Sequence, residues 1–258
     1  MPERDLALLI EAAEQAGRIA MGYWKHAPRV WDKADGAGPV TEADLAVNQM
    51  LATHLRGARP GYGWLSEETP DTSDRLASDR VFIIDPIDGT RAFVAGEAQF
   101  AHAIAVAEAG HVIAGVVFLP AKRLLYAATA DGPATLNGQP IRASDRSAIT
   151  GASVLATAPA FAPDIWPGGV PDMTRHFRAS LAYRVCLVAD GSFDAMLTVR
   201  PAWEWDIAAA TLIAERAGAR VSDRDGNDLA FNRPDPRSHG VFAAAPALHL
   251  ALMARRQG

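Results

Sequence analysis

Two aspartates, three residues apart, follow an apolar segment in the first half of the 258-residue chain. The segment Val81–Ile84 is entirely apolar and predicts a buried strand, and it runs directly into Asp85, Pro86, Ile87 and Asp88. Pro86 has no N–H to donate to a sheet, so we expect the strand to end there. A carboxylate at the end of a buried strand needs a hydrogen-bonding partner or a metal ion.

Gly89 and Thr90 come next and add groups that suit a phosphate. A glycine in a turn lets the backbone approach a ligand closely, and successive amide groups there can hold a phosphate oxygen. The Thr90 hydroxyl can orient a water molecule. Carboxylates that converge on one site repel one another unless a cation is present, and an all-oxygen ligand set indicates Mg²⁺. The stretch therefore predicts metal-assisted attack of water on a phosphate ester.

Further acids stand at the ends of other predicted elements, and each also has a purely structural interpretation. Glu67 can be a solvated charge in a polar loop. Asp206 can be an acid that favours a helix N-terminus through the helix dipole. Asp44, three residues after Thr41, completes the pattern of a capping box. Asp88 itself can cap the turn that follows it.

The elements that must position these residues are, in the first half of the chain, two helices and a mainly antiparallel sheet. Apolar residues at helical spacing predict helices over about 5–25 and 41–54. Apolar runs joined by turn signals predict the strands of the sheet. These strands are 61–65, 81–84, 102–107, 112–119 and 124–128.

The second half of the chain alternates helices with strands, as in a layered α/β lobe. We predict strands at 152–156, 193–199, 220–222 and 241–245, a surface loop over 159–171, and helices at 181–189, 205–217 and 246–255. The small, polar residues 129–150 are predicted to join two lobes. We expect the first lobe, 1–130, to hold the metal site, and the second, 131–258, to complete the site and set the choice of substrate.

Composition and charge argue against several classes of function. The net charge of −5 provides no basic field for a nucleic acid polymer. No window approaches the roughly 20 apolar residues of a membrane span, and the charged first residues lack the apolar region of a signal peptide. The single cysteine, Cys186, excludes an intrachain disulfide framework and is predicted to be buried. We expect a cytoplasmic protein.

The two segments Asp85–Thr90 and Trp205–Ala209 together resemble the two signature motifs of the inositol monophosphatase family. The motifs occur in the family's order, and the similarity extends over nearly the whole chain. The resemblance implies an α/β (α+β) fold, a layered αβαβα sandwich that is commonly a homodimer. It also implies a Mg²⁺-dependent, lithium-sensitive phosphomonoesterase acting on a small phosphorylated substrate.

The resemblance further implies which residues hold two to three Mg²⁺ ions. Glu67, Asp85 and the Ile87 carbonyl would hold the first ion. Asp85, Asp88 and Asp206 would hold the second ion. A third, weaker ion would use Glu67 and water molecules.

The same resemblance implies catalytic and phosphate-binding roles. Thr90 and Glu67, helped by Asp44, would position the attacking hydroxide. The backbone amides of Asp88, Gly89 and Thr90 would hold the phosphate.

Segments outside the two motifs look more like the 3'(2'),5'-bisphosphate nucleotidase branch of the family than the inositol branch. These segments are Arg91–Phe93, Ser180–Gly191 and Phe231–Pro234. That branch removes the 3'-phosphate of adenosine 3',5'-bisphosphate. A second phosphate on the substrate needs a cation, and Arg184 or Arg91 could supply it, although either could also be a surface side chain.

Other substrates of the family stay open as alternatives. The inositol branch usually has a glutamate several residues before the second motif, and Glu204 is too close to Asp206 to match it. The histidinol-phosphate branch typically has Pro-Tyr-Asp where this chain has Glu204, Trp205 and Asp206. Ala210 stands where many relatives have glycine, which puts the helix packing near the ligand in question. A non-catalytic relative that binds phosphate or metal is the remaining alternative.

Overall fold

Two helices and a short hairpin begin the computed structural model, which describes residues 2–33 and 38–257. Helix α1 (Pro2–Tyr23) buries a stripe that includes Leu9, and α2 (Glu42–Ala58) buries one that includes Leu51. Between them, β1 (Val30–Asp32) pairs antiparallel with β2 (Pro39–Thr41). Both helices were predicted, and α2 extends past the predicted end at residue 54.

A seven-stranded sheet follows, with its strands in the order β3 to β9. Only β3 and β4 pair in parallel, and the other neighbouring strands are antiparallel. The strands are β3 (Gly63–Ser66), β4 (Arg80–Asp88), β5 (Ala101–Glu108), β6 (His111–Leu119), β7 (Leu124–Thr129), β8 (Thr135–Leu136) and β9 (Gln139–Pro140). The sheet thus runs past residue 130, where we placed the end of the first lobe, and the division into lobes stays a prediction.

Strand β4 differs from its prediction, because it continues through Pro86 to Asp88. The register between β4 and β5 shifts between Asp85 and Asp88, so Pro86 lies in a β-bulge. A bulged residue is not required to donate its N–H to the ladder, which is why a proline is tolerated there. The expectation that the strand ends at Pro86 was wrong.

The second half of the chain forms a five-stranded mixed sheet in the order β11-β10-β12-β16-β14, and a two-stranded ribbon of β13 and β15. The strands are β10 (Ala152–Ala156), β11 (Met173–His176), β12 (Ala195–Thr198), β13 (Ala202–Trp203), β14 (Arg220–Ser222), β15 (Arg237–Ser238) and β16 (Val241–Ala244). The helices of this half are α4 (Leu181–Ala189), α5 (Glu204–Arg216) and α6 (Pro246–Gln257), whereas the short helix α3 (Thr90–Val94) follows β4 in the first half. Strand β11 was not predicted, since its residues are polar and largely exposed.

The layers stack as helices, sheet, helices, sheet and helix. Helices α1 and α2 pack on one face of the seven-stranded sheet, against side chains such as Phe82 and Ile104. Helices α4 and α5 fill the space between the two sheets. Helix α6 covers the far face of the second sheet through Leu248 and Leu252. The predicted αβαβα sandwich is confirmed. No helix in the described ranges is long and apolar enough to cross a membrane.

Candidate active site

The carboxylates of Asp85, Asp88 and Asp206 converge where β4 ends and α5 begins, with one oxygen of each within 4.8 Å of the others. Asp85 is only 1% exposed. Burial raises the pKa of all three groups, and repulsion from neighbouring carboxylates raises the pKa of Asp85 and Asp206 further. The chain therefore holds three acids together in an arrangement that a cation would stabilise.

Asp88 is held in place by the N-terminus of α4. Its Oδ2 atom accepts hydrogen bonds from the Ser180 hydroxyl at 2.6 Å and from the Ala182 amide at 2.7 Å. The Ser180 hydroxyl also accepts from the Tyr183 amide, as the cap of the helix. These bonds and the dipole of the helix favour the ionised form of Asp88 and offset part of the effect of burial.

Asp206 is positioned by the buried side chain of Glu204 at the start of α5. The two carboxylate oxygens of Glu204 accept from the amides of Asn232 at 2.6 Å and Arg233 at 3.0 Å. Burial raises the pKa of Glu204 to about 7. These bonds tie the start of α5 to the loop that contains Asn232 and Arg233. Glu204 does not line the cavity beside Asp206.

Gly89 and Thr90 lie at the first turn of α3, directly after the acids of β4. Gly89 has φ +94°, and a Cβ atom there would lie 2.9 Å from the carbonyl oxygen of Gln99. Only glycine fits both restrictions. The first amides of a helix have no acceptor within that helix, so those of α3 are available to an anion.

Asp44 lies beside Thr90 and is also the third helical residue of α2. Its Oδ2 accepts from the amide of Thr41 at 2.8 Å and from the Thr41 hydroxyl at 2.5 Å, and its Oδ1 lies 3.3 Å from the Thr90 hydroxyl. The capping box is present. Burial raises the pKa of Asp44 to about 6, and the bonds from Thr41 lower it. Asp44 therefore both caps helix α2 and contacts Thr90.

Glu67 lies at the end of β3 with its amide bonded to the Ile84 carbonyl, and its charge contributes to raising the pKa of Asp85. Lys33 forms ion pairs with Glu67 at 2.6 Å and with Glu68 at 2.7 Å. Glu67 therefore stands beside the acid cluster rather than in a fully solvated edge.

A cavity of about 800 Å³ joins these groups. Four acidic residues line it: Glu67, Asp88, Glu97 and Asp206. Its wall also contains Gly89 and Thr90 of the first motif, together with cationic and aromatic side chains. The cationic and aromatic residues are Lys33, Arg91, Arg184, Arg200, Phe177, Trp203 and Trp205.

Arg184 is a fixed cation in this wall, whereas Arg91 is exposed. The Arg184 side chain donates to the carbonyls of Arg178 at 2.5 Å and Ala179 at 3.0 Å, and its guanidinium carbon lies 4.6 Å from the centre of the Phe177 ring. Only 8% of the residue is exposed. Cys186, on the same helix, is fully buried as predicted.

The donor set at the cluster fits Mg²⁺. Within the described residues it consists of the carboxylate oxygens of three aspartates, without a sulfur or imidazole donor among them. Hard oxygen ligands of this kind suit Mg²⁺ and not zinc. A bound divalent cation would relieve the mutual repulsion of these buried carboxylates.

Three features of the site were not predicted from the sequence. Ser180 bonds to Asp88, the His102 ring lies 2.5 Å from the Pro86 carbonyl oxygen, and the rings of Trp203 and Trp205 are stacked with their centres 4.6 Å apart. Ser180 directly precedes a predicted helix, so its capping role is readable from the sequence. Its bond to Asp88 joins residues far apart in the chain, and no local pattern reveals it. His102 lies within an apolar strand, and no sequence pattern indicates its contact with the Pro86 carbonyl.

Comparisons with known proteins identify the family and the fold. The model of the Inositol monophosphatase family matches residues 1–258. The 3'-phosphoadenosine 5'-phosphate phosphatase of Mycobacterium leprae is 32% identical and is aligned over 90% of this chain and 86% of its own. A structure of an IMPase from Thermotoga maritima superposes with a TM-score of 0.83 at 26% identity, covering 100% of this chain and 97% of the other.

The names of the relatives do not agree on one substrate. A Streptomyces griseus protein named glucose-1-phosphate thymidylyltransferase is 33% identical over 87% of each chain. At similar identity the relatives include inositol-1-monophosphatases, 3'(2'),5'-bisphosphate nucleotidases and a histidinol-phosphatase. The substrate must therefore be argued from the cavity.

Proposed function

The chain belongs to the inositol monophosphatase family and is a phosphatase of that family, and we propose that it is a Mg²⁺-dependent enzyme that removes the 3'-phosphate of adenosine 3',5'-bisphosphate. The observation that carries the choice of substrate is Arg184. Its buried guanidinium lines the same cavity as Asp88, Gly89 and Thr90. A fixed cation at that place suits a second phosphate on the substrate.

Inositol 1-phosphate is the main alternative, and the position of Glu204 disfavours it. A polyol substrate needs acceptors for several hydroxyl groups. Glu204, the acid nearest in sequence to Asp206 on its N-terminal side, is bonded to the amides of Asn232 and Arg233 and does not line the cavity. The wall near α5 instead presents tryptophan and arginine side chains.

The acids would hold Mg²⁺ in the sets that the family resemblance implies. Glu67, Asp85 and the Ile87 carbonyl would take one ion, and Asp85, Asp88 and Asp206 another. When bound, the ions would neutralise charge on the attacking and leaving oxygens and lower the pKa of water.

The remaining groups would manage the phosphate and the proton. The amides of Asp88, Gly89 and Thr90 would hold the phosphate oxygens. The oxygen of water would bond to phosphorus as the bond to the 3'-oxygen breaks, and the departing 3'-oxygen would take a proton from a second water molecule. The proton of the attacking water would pass toward the Thr90 hydroxyl. Asp44, 3.3 Å from that hydroxyl, would accept it, and Glu67 would help to orient the water.

Phosphate release from a substrate panel tests the proposal. The panel contains adenosine 3',5'-bisphosphate, inositol 1-phosphate and histidinol phosphate, each with Mg²⁺ in excess. We expect the highest kcat/KM for the bisphosphate, and faster turnover of inositol 1-phosphate would refute the choice of substrate. The Asp88→Asn variant is the control for catalysis, and undiminished phosphate release by this variant would refute the site itself.

The number of ions, lithium sensitivity, assembly and location are further proposals from the family resemblance. We propose two to three Mg²⁺ ions per chain, inhibition by lithium, a homodimer and a cytoplasmic location. Metal titration calorimetry, a lithium dose–response curve, light scattering and cell fractionation test them in turn. A monomer at micromolar concentration, for example, would refute the proposed assembly.

A further inference from the structure

Trp203 and Trp205 form a stacked pair in the wall of the cavity. Their ring centres lie 4.6 Å apart and their planes differ by 8°. Both side chains line the cavity, and Trp203 is 39% exposed. Because Trp205 directly precedes Asp206, the pair is fixed next to the acid cluster. A large aromatic surface left in contact with water beside a catalytic cluster is a ready binding surface.

Neighbouring side chains contact the pair on the β13–β15 ribbon. Trp203 pairs with Arg237 across the ribbon of β13 and β15. The Arg237 guanidinium carbon lies 5.3 Å from the Trp203 ring centre, and Asp235 holds that guanidinium through two bonds of 2.8 and 2.9 Å. Side chains that already contact one another lose less conformational entropy on binding than free ones.

We propose that the Trp203–Trp205 pair binds a planar aromatic ring in the alcohol part of the substrate. Two rings pack favourably in offset or edge-to-face arrangements, and such a wall recognises a ring without needing hydrogen bonds. A polyol ring carries hydroxyl groups around its edge, and the faces of the two tryptophan rings offer those hydroxyls no acceptor. Arg200, which also lines the cavity and lies three residues before Trp203, supplies positive charge near the ring site.

This inference rests on the proposed function only in taking the cavity as a phosphatase active site. It does not depend on Arg184 or on a second phosphate. If the Trp203–Trp205 pair binds an aromatic ring, a ligand with a nucleobase should bind more tightly than the same ligand without one.

The first experiment uses the unaltered protein and compares two inhibitors of phosphate release. Adenosine 5'-monophosphate and ribose 5-phosphate share the phosphate and the sugar and differ in the base. We expect the inhibition constant of adenosine 5'-monophosphate to be at least about tenfold lower, the size of effect that base stacking on an aromatic side chain gives. Equal inhibition constants would overturn the proposal.

The second experiment uses Trp203→Leu, with Trp203→Phe as the conservative variant and Leu250→Ala as a control for an exposed apolar residue outside the cavity. The substrates are adenosine 3',5'-bisphosphate and the same sugar bisphosphate with a methyl group in place of the base. We expect KM for the nucleotide to rise about tenfold in Trp203→Leu, with KM for the base-free compound unchanged. Trp203→Phe should recover most of the loss.

The outcomes separate this inference from the proposed function. An equal rise of both KM values in Trp203→Leu would indicate a structural role and refute the ring site. Phosphate release from the bisphosphate without any preference for the base would refute the ring site alone. Phosphate release from inositol 1-phosphate but not from the nucleotide would refute both proposals.

Discussion

The Nδ1 atom of His102 lies 2.5 Å from the carbonyl oxygen of Pro86 in the bulge of β4. Strand β5 pairs Ala103 with Asp85 and Ala101 with Asp88, so His102 faces the two bulged residues between the acids. A carbonyl accepts, so Nδ1 carries the hydrogen. Burial lowers the pKa of His102 to about 4, so the ring is neutral near pH 7. The bond fixes the backbone that spaces the two aspartates.

We predict that His102→Phe raises the Mg²⁺ concentration needed for half-maximal activity by roughly tenfold, the usual effect of losing a group that orients metal ligands. The phenyl ring keeps the bulk but cannot donate to Pro86. His102→Asn should retain much of the affinity for Mg²⁺, because the asparagine amide can donate from nearly the same place. The measurement is phosphate release against Mg²⁺ concentration.

His249→Phe is the matched control for this prediction. His249 is likewise buried, with a pKa lowered to about 4, and its Nε2 lies 2.8 Å from the Ser222 hydroxyl in the second sheet. Its loss should lower Tm and leave the Mg²⁺ dependence unchanged. If His102→Phe behaves in the same way, His102 stabilises the fold and does not position the acids.

The fold was predictable wherever a run of apolar residues is ended by polar or turn-forming residues. Helix α4 and strand β10 have the predicted bounds, since apolar runs ended by polar residues mark them. Strand β11 lacked such a signal, because an edge strand with exposed residues has no apolar face to display. The bulge at Pro86 was missed because a proline removes a ladder bond, and the sequence does not show that the ladder shifts there.

The acidic residues of the candidate site could be predicted from the sequence, but the contacts that hold them in place could not. Asp85 and Asp88 stand at a strand end, and their types alone suggested a cation. Contacts such as that between Ser180 and Asp88 depend on how distant elements pack, and so does the Trp203–Trp205 wall. These contacts are set by the tertiary fold, which local spacing does not encode.

Asp44 gives a prediction for the pH dependence of the reaction. Asp44 accepts a proton only as a carboxylate, and its pKa is raised to about 6, chiefly by burial. Activity should therefore fall as the pH drops below about 6. Asp44→Asn should lower kcat by a factor of about 10² to 10⁴, the usual contribution of a general base, and abolish this acid limb. The measurement is kcat as a function of pH.

Thr41 should set the position of the acid limb. Its hydroxyl donates to Asp44 and stabilises the carboxylate, so Thr41→Val should raise the pKa of Asp44 and move the limb to higher pH. Thr41→Ser keeps the hydroxyl and is the matched control. An acid limb that stays in place in Thr41→Val would show that another group governs it.

Mg²⁺ should stabilise the protein more at pH 8 than at pH 5.5. In the metal-free protein, burial raises the pKa of Asp85, Asp88 and Asp206, and repulsion raises that of Asp85 and Asp206 further, so the folded chain binds more protons than the unfolded chain above the ordinary pKa. Their contribution to the free energy of unfolding therefore falls as pH rises through the folded pKa. At high pH, Mg²⁺ would stabilise the fold by relieving the repulsion of the ionised acids. At low pH, Mg²⁺ must first displace protons from them, so it would stabilise the fold less. Thermal unfolding with and without Mg²⁺ measures the difference.

The comparison must be made between the Mg²⁺ effects and not between the raw Tm values. His102 and His249 have lowered pKa values, so the folded chain binds fewer protons there, and their contribution to stability rises with pH up to about 6.5. Asp206→Asn removes one repelling charge, and it should raise the metal-free Tm at pH 8 and shrink the gain from Mg²⁺. An equal gain at both pH values would contradict the metal site.

Arg184→Gln should weaken binding of a bisphosphate far more than binding of a monophosphate. The buried guanidinium would face the second phosphate, and loss of a charge-assisted contact costs roughly 1.5 to 3 kcal/mol, or about 10- to 150-fold in KM. Arg184→Lys keeps the charge but not the two bonds to the carbonyls of Arg178 and Ala179, so it should recover only part of the loss. Arg175→Gln, an exposed arginine on β11 outside the cavity, is the control. An equal loss for adenosine 3',5'-bisphosphate and adenosine 3'-monophosphate in Arg184→Gln would mean that the residue supports the cavity wall and does not bind the second phosphate.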